Sequence, residues 1–308
     1  MSVRYFVNRL LQALLTIFVL LAFIFAAARA TGDPTVSLLP LTASTEERAS
    51  FRQALHLDEP IVVQFTAYLW DLARGDLGNS YYWDRPVSEL IWDRLPVTVT
   101  LALLAGTITL GIGLPLGIIA AQHRGRPTDH VVLMIALLGQ SVPIFVIGLL
   151  GILFFSVKLR WLPVAGVENA AGYVLPVIAL GWFGIASMIR VTRVSMLNAL
   201  SAEYILTAKA KGLRSRAIIY GHALRNALIP VITIFSLILA TLLTGTVVTE
   251  TMFALPGLGR LAVEAIIRRD FPVVQAVILV TTLVFILVNF CVDILYGVID
   301  PRTRRGNQ

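Results

Sequence analysis

The chain has little charge and almost no cysteine. Of its 308 residues, 14% are charged, against about 25% in soluble domains. Hydrophobic residues make up 57%, and the mean hydropathy is +0.82. This balance excludes an ordinary soluble domain and marks a membrane protein. A single cysteine, Cys291, excludes an internal disulfide. The four histidines, at positions 56, 123, 130 and 222, have no partner at metal-ligand spacing, so no metal site is expected. The dipeptide Gly-Lys does not occur. Without it there is no G-x-x-x-x-G-K-[ST] phosphate loop, and the chain cannot itself hydrolyse ATP. No Ser/His or paired-carboxylate constellation stands out either, so no catalytic residue is expected.

Long apolar runs are what the chain does have. Six lack any charged residue: 10–28, 95–121, 131–157, 169–189, 226–249 and 271–292. Each is close to or above the roughly 20 residues a helix needs to cross the hydrocarbon core. Backbone groups in lipid must pair within their own segment, and the alternation of a barrel strand is absent. The expectation is six transmembrane helices. The first run has a basic head, Arg4 and Arg9, and small residues after it, as a signal peptide would. Its 19 residues exceed the usual signal core of about 7–15, and a retained helix is expected.

Six spans put both termini on one side. If that side is the cytoplasm, the inner segments carry fourteen basic residues against four acidic ones, net +10. The outer segments then carry eleven against fourteen, net −3. The positive-inside rule favours this orientation. Topology and anionic inner lipid account for the basic excess, and no nucleic-acid partner is needed.

Residues 29–94 are the only sizeable polar region, expected outside as a small folded cap. Leu55, Leu57, Ile61, Val62, Phe65, Leu69 and Trp70 can form an apolar helix face after Pro60. Residues 76–80 read as a turn, and Tyr81, Tyr82 and Trp83 lead back to the membrane, where interfacial anchoring is the simplest role. Gly111, Gly113, Pro115 and Gly117 in the second run suit either close helix packing or a water-lined path. The same holds for Thr241, Thr244, Gly245, Thr246 and Thr249 in the fifth. Residues 250–259, ETMFALPGLG, are read as a segment broken by Pro256-Gly257, with a short amphipathic helix over 258–270. Such a break at the outer mouth is a candidate gate, and an ordinary loop is the plain alternative. Ion-coupled carriers usually need an ionisable residue near the midplane. Here the membrane-embedded acids, Glu250 and Asp293, lie only at the ends of runs.

Residues 203–232, EYILTAKAKGLRSRAIIYGHALRNALIPVI, carry five basic residues against one acid. Good helix formers dominate, and Gly212 interrupts, so two short helices with a bend are expected. Beyond the bend, Leu213, Ala217, Tyr220, Leu224 and Leu228 recur on one helical face. That apolar side would meet the chain's own membrane domain. The basic side could lie on anionic lipid, serve as a solvated linker, or dock a cytoplasmic partner.

The same segment resembles the EAA loop of permease subunits in ATP-binding-cassette importers. Leu206-Thr207-Ala208 falls on E-A-A and Gly212 on its glycine, although the first glutamate is absent and Arg225 stands at the proline position. The variant here, E-Y-x-x-T-A-x-A-K-G-L followed by H-A-L-R-N-A-L-I-P, is similar to the dipeptide/oligopeptide/nickel branch, first-permease type. The resemblance runs nearly end to end. It includes Leu57-Asp58-Glu59-Pro60, Gly75-Asp76-Leu77-Gly78-Asn79-Ser80, Arg94-Leu95-Pro96-Val97-Thr98, Thr192-Arg193-Val194-Ser195-Met196, the E-x-x-F-x-x-P-G-L-G of 250–259, and Asp300-Pro301-Arg302. His56 stands where a glycine is common.

The resemblance implies an all-α integral membrane protein with the type I importer permease fold. It implies an N-terminal helix over 1–28, an external cap over 29–94, and a core domain over 95–308 with a coupling loop at 195–228 and an outer gate loop at 250–272. Implied partners are a second homologous permease, two ATPase subunits, an external substrate-binding protein and membrane lipid. ATP and Mg would belong to the ATPases, with no cofactor in this chain. The implied location is the cytoplasmic membrane of a prokaryote. Coupling to the ATPases is implied for Glu203, Leu206, Thr207, Ala208, Lys209, Gly212, Leu213 and Arg214. Small Ala208 and Gly212 would let the partner surface come close. Gating is implied for Glu250, Phe253, Pro256, Gly257 and Gly259. Substrates of the branch include dipeptides, longer peptides, nickel complexes and other small solutes, and a weakly polar path favours peptides. The alternative is a channel or carrier acting alone, with the basic insert as a lipid-bound helix.

Overall fold

The computed structural model describes residues 3–30, 44–54, 57–167 and 169–299. Leu55, His56 and Asp300-Pro301-Arg302 lie outside the described residues, as do the surroundings of Thr244, Gly245 and Asp293. Among the described residues the chain is helical, apart from an isolated bridge between Asn79 and Pro86. In chain order the helices are α1 (Val3–Ala30), α2 (Thr45–Ala54), α3 (Ile61–Ala73), α4 (Val87–Gln122), α5 (Pro127–Ser141), α6 (Ile144–Gly151), α7 (Val174–Leu200), α8 (Glu203–Ala210), α9 (Leu224–Met252), α10 (Leu258–Ile267) and α11 (Phe271–Ile299). A π-helical segment follows α6 (Ile152–Lys158), another precedes α9 (Ala217–Ala223), and a 3-10 turn (Ala170–Tyr173) leads into α7.

Among the described residues, five helices are long and apolar enough to cross a membrane, and a sixth span results if the bent pair Pro127–Ser141 and Ile144–Lys158 counts as one. The third apolar run is therefore not a straight helix. It turns by 101° between Ser141 and Ile144. Pro143 is the cause, because it lacks an N–H and disfavours helical backbone in the residue before it. Val142 is accordingly extended, with φ −93° and ψ 121°.

The chain divides into two compact units. One holds the described residues up to Val97 together with Pro256–Ile286. In it α3 packs on α1 through aromatic rings: Phe65 meets Phe18 and Phe25 with centroids 6.0 and 5.1 Å apart, and Tyr68 stacks on Phe25. Arg29 Nε donates to Gln64 Oε1 at 2.9 Å. The half-buried residues of α3 are Gln64, Phe65, Tyr68, Leu69 and Leu72, so Phe65 and Leu69 lie inward as expected. Ile61, Val62 and Trp70, expected on that face, are exposed, and Trp70 lies instead under the Arg74 guanidinium at 4.7 Å. Helix α3 is apolar on more than one side, so its partner α1, rather than its own pattern, selects the inner face. The core of this unit joins Val87, Leu90 and Ile91 of α4, Leu258, Leu261 and Ala265 of α10, and Val273, Ala276 and Val277 of α11. The amphipathic helix expected over 258–270 is α10.

The other unit holds Thr98–Leu255 and the described residues from Leu287. Helix α7 lies at its centre, packed against α5, α6 and α9. Glycines bring α4 onto it. A Cβ added at Gly113 would stand 2.6 Å from Met188 Cβ, and one at Gly117 would stand 2.5 Å from Thr192 Cβ and 2.8 Å from the Ile189 carbonyl. At these two positions the small residue serves close packing. Gly111 has open space around it. Thr246 and Thr249 are buried, while Thr241 is exposed.

Candidate functional site

Helix α8 continues from α7 after only Ser201 and Ala202. Its side chains divide into two sets. Ile205 and Ala208 are 1% and 6% exposed, in a core with Ile118 and Ala121 of α4, Met196 and Ala199 of α7, and Ile218, Ala223 and Ala227. Glu203, Thr207 and Lys209 are exposed, and Leu206 is 64% exposed. Ala208 therefore does not offer the outward approach expected of it. Its small side chain lets α8 sit tightly on its own domain, and Leu206 is the large apolar residue on the outward side.

The helix stops in a Schellman motif. Gly212, at φ +74°, donates its N–H to the Lys209 carbonyl at 2.9 Å, and Leu213 donates to the Ala208 carbonyl at 3.3 Å. The space around Gly212 is open. Glycine is required there by the left-handed backbone, not by a close neighbour. Arg214 follows on the surface with Leu213, which is 41% exposed. The apolar face expected from Leu213 through Leu228 also differs. Ala217 and Tyr220 are exposed, Leu224 and Leu228 are half-buried, and the buried set is Ile218, Ala223 and Ala227. The π-helical stretch at 217–223 bonds i to i+5, which rotates the inner face away from the 3.6-residue register.

Beside α8, a groove of about 750 Å³ opens along Arg190, Val194 and Asn198 of α7, Tyr204 of α8, and Asn226 and Pro230 of α9. Sequence reasoning missed it. The available signal was the i, i+4 spacing of its lining residues on two flanking helices.

The candidate gate is organised around another helix end. Helix α9 ends at Met252. Ala254 takes the left-handed conformation (φ +51°) and donates to the Thr251 carbonyl at 3.3 Å, while Leu255 donates to the Glu250 carbonyl at 2.8 Å. This is the same capping motif with alanine where glycine is usual. The break thus precedes Pro256-Gly257 and is not made by it. Glu250 and Phe253 are 0% and 1% exposed. Thr98 Oγ1 donates to Glu250 Oε1 at 2.7 Å, and the Gly166 N–H donates to the Phe253 carbonyl at 3.2 Å. A Cβ added at Gly148 of α6 would run into the Met252 side chain and stand 3.3 Å from the Phe253 ring. Glu250 and Phe253 are brought together in this way. Pro256, Gly257 and Gly259 belong to the other unit, where Gly257 is the residue before α10 and Gly259 is buried in its first turn.

Two polar pairs were not singled out from sequence. Asp129 pairs with Arg193, and Ser80 with Asp270. Their members lie 64 and 190 residues apart, and a single sequence carries no signal of such contacts. In the Ser80 loop, burial pushes the Tyr81 phenol above its ordinary pKa; Arg29 pulls it back and Asp270 raises it further. Among the described residues no group of three or more His, Cys, Asp or Glu could hold a metal ion.

Residues 113–305 match the profile of the family described as binding-protein-dependent transport system inner membrane component, and residues 2–102 match that of its N-terminal part. A putative peptide transport system permease protein of Brucella abortus (strain 2308) is 43% identical over 281 residues, covering 89% of this chain and 90% of that protein. The glutathione transport system permease protein GsiC of Escherichia coli (strain K12) is 39% identical over 302 residues, covering 98% and 99%. Among solved structures, an inward-facing MetNI methionine ABC transporter chain superposes with a TM-score of 0.60 at 19% identity, covering 69% of this chain and 97% of that one. That likeness is one of fold.

Proposed function

The chain belongs to the family of binding-protein-dependent transport system inner membrane components, and from that membership we propose that it forms half of a translocation path for peptides or similar small solutes. It is a multi-pass membrane permease, not the ATPase of its system. In this reading a second permease completes the path, two ATPases dock on the cytoplasmic side, and an external binding protein delivers substrate to the cap at 29–94. Both termini are cytoplasmic, as the distribution of basic residues favours. The relatives, named as peptide and glutathione transport permeases, support the substrate class.

One observation carries the docking assignment. Helix α8 is seated on α4, α7 and the stretch before α9 by Ile205 and Ala208, presents Leu206, Thr207 and Lys209 outward, and is stopped sharply at Gly212. A short helix held on one side and bare on the other suits a rigid lever. A flexible loop would absorb the motion. Glu250 and Phe253 are read as the gate at the far end of α9.

The test is purification of the subunit in mild detergent with mass spectrometry of its partners, for wild type and Leu206→Glu. A second permease and P-loop ATPases should accompany the wild type, and the ATPases should be lost from the variant without loss of the permease pair. A lone chain that transports in liposomes without ATP would overturn the reading.

A further inference from the structure

We propose that the Asp129–Arg193 ion pair is the joint that carries movement of α8 into α5, and through α5 and α6 to the segment around Phe253. The inference rests on the reading of α8 as the ATPase-docking helix.

The pair is bidentate. Arg193 Nε donates to Asp129 Oδ1 at 2.6 Å, and Nη2 donates to Oδ2 at 2.7 Å. The Asp129 side chain is 2% exposed and that of Arg193 is 18%. Oδ2 also accepts the Gly125 N–H at 2.9 Å. One carboxylate therefore holds the α4–α5 turn, the first turn of α5, and α7. Two parallel charge-assisted bonds fix orientation as well as distance.

The rest of the α5–α7 contact is apolar, Val132 and Ala136 against Ala186 and Ile189 with Gly139 close to Ala186, apart from one neutral hydrogen bond toward the other end of α5, from Gln140 Nε2 to Ser187 Oγ at 3.1 Å. The apolar part resists separation better than sliding along the helix axis, and the ion pair is a charged, two-point tie at the α8 end of α7. Replacing a buried ion pair by apolar residues of similar volume is often neutral or stabilising, so stability alone does not explain its presence. A fixed axial register does.

The apolar seat of α8 involves α4, α7 and the stretch around 218–227, and none of its buried members comes from α5. Arg193 stands one turn before Met196, which with Ala199 is α7's buried contribution to that seat. Movement of α8 thus reaches α4, α7 and α9 by direct packing, whereas α5 is tied to the same end of α7 by the ion pair. Helix α5 continues past Pro143 into α6, whose Gly148 lies against Met252 and Phe253. Asp129 and Arg193 are positioning residues for transport.

The test uses the complete transporter in proteoliposomes, with a tritiated dipeptide as probe, and reads ATP hydrolysis, uptake, and ATPase retained per permease. The variants are Asp129→Leu/Arg193→Met, the exchange Asp129→Arg/Arg193→Asp, and Asp129→Asn, which keeps the size and one acceptor should the apolar pair fail to assemble. Expected is a fall in uptake per ATP of about fivefold or more in the apolar pair, with hydrolysis and assembly retained, and partial recovery in the exchange. Unchanged uptake per ATP, or uptake and hydrolysis falling in proportion, would overturn the proposal and leave the pair a packing tie. A second readout does not need the substrate. Maleimide labelling of Ser141→Cys, in a Cys291→Ala background, should change with ATP and vanadate in the parent and not in Asp129→Asn; a change of equal size in both would also overturn it. Wild-type complex that carries no ATPase fails the reading of α8 itself, and is recognised before any variant is compared.

Discussion

The hydroxyl of Ser80 donates to Oδ2 of Asp270 at 2.5 Å, joining residues 190 positions apart. Both are buried, at 4% and 0% exposure. Ser80 Oγ also accepts the N–H of Trp83 at 2.8 Å and of Tyr82 at 3.2 Å, and the Tyr82 N–H reaches Asp270 Oδ2 at 3.1 Å. Asp270 in turn closes α10, its N–H donating to the Ala265 carbonyl at 2.9 Å. Two side chains thereby tie the turn that enters α4 to the junction of α10 and α11.

Ser80→Ala and Asp270→Ala should each lower stability by about 1–3 kcal/mol, because each leaves buried donors or acceptors without a partner. The double variant should lose less than the sum, since the two act as one unit. Thermal unfolding in detergent measures this. Additive losses would show that the residues are not coupled.

Gly117→Ala and Gly111→Ala make a matched pair within one apolar run. The first pushes a methyl group against Thr192 and the Ile189 carbonyl, and α4 must move off α7. Its expected cost is about 1–3 kcal/mol. The second meets open space and should be neutral or stabilising by up to about 1 kcal/mol. Equal effects on the melting temperature would refute the packing role of Gly117.

At Gly212 the backbone, not the available space, decides. Gly212→Ala should cost about 1–2 kcal/mol at the end of α8, and Gly212→Asn less, since asparagine accepts the left-handed conformation better. Retention of ATPase on the purified permease should follow the order Gly, Asn, Ala. If Ala performs as well as Gly, the cap does not hold the docking helix in place.

Gly148→Ala should be mild, because the methyl group meets mainly the flexible end of Met252. Gly148→Val reaches further toward the Phe253 ring and should cost about 1–3 kcal/mol of fit, seen as reduced uptake with assembly intact. Met252→Ala opens the space and should restore part of that uptake. Absence of suppression would place the defect elsewhere.

Much of this site was legible in the residues. The helix stop at Gly212, the short helix before it and the amphipathic helix after Gly257 all rest on local chemistry: a residue without Cβ, strong helix formers, and spacing at the helical period. The misreadings came where a neighbour or a change of helix type intervened. Ala208 faces inward because α4 and α7 cover it. Tyr220 faces outward because the chain passes through a π-helical stretch that no periodicity count anticipates.

Composition and uninterrupted apolar runs by themselves determined that the protein is helical and membrane-spanning, since lipid offers the backbone no partner but its own chain. They also placed the basic insert and the broken segment after α9. Only the tertiary structure decided which face of each helix is buried, that the third run bends by 101° at Pro143, and that Asp129 meets Arg193 and Ser80 meets Asp270. The bend has a local cause in Pro143, but the buried faces and the two polar pairs depend on contacts between residues far apart in the chain, and a buried polar group takes its meaning from a partner the local sequence does not contain.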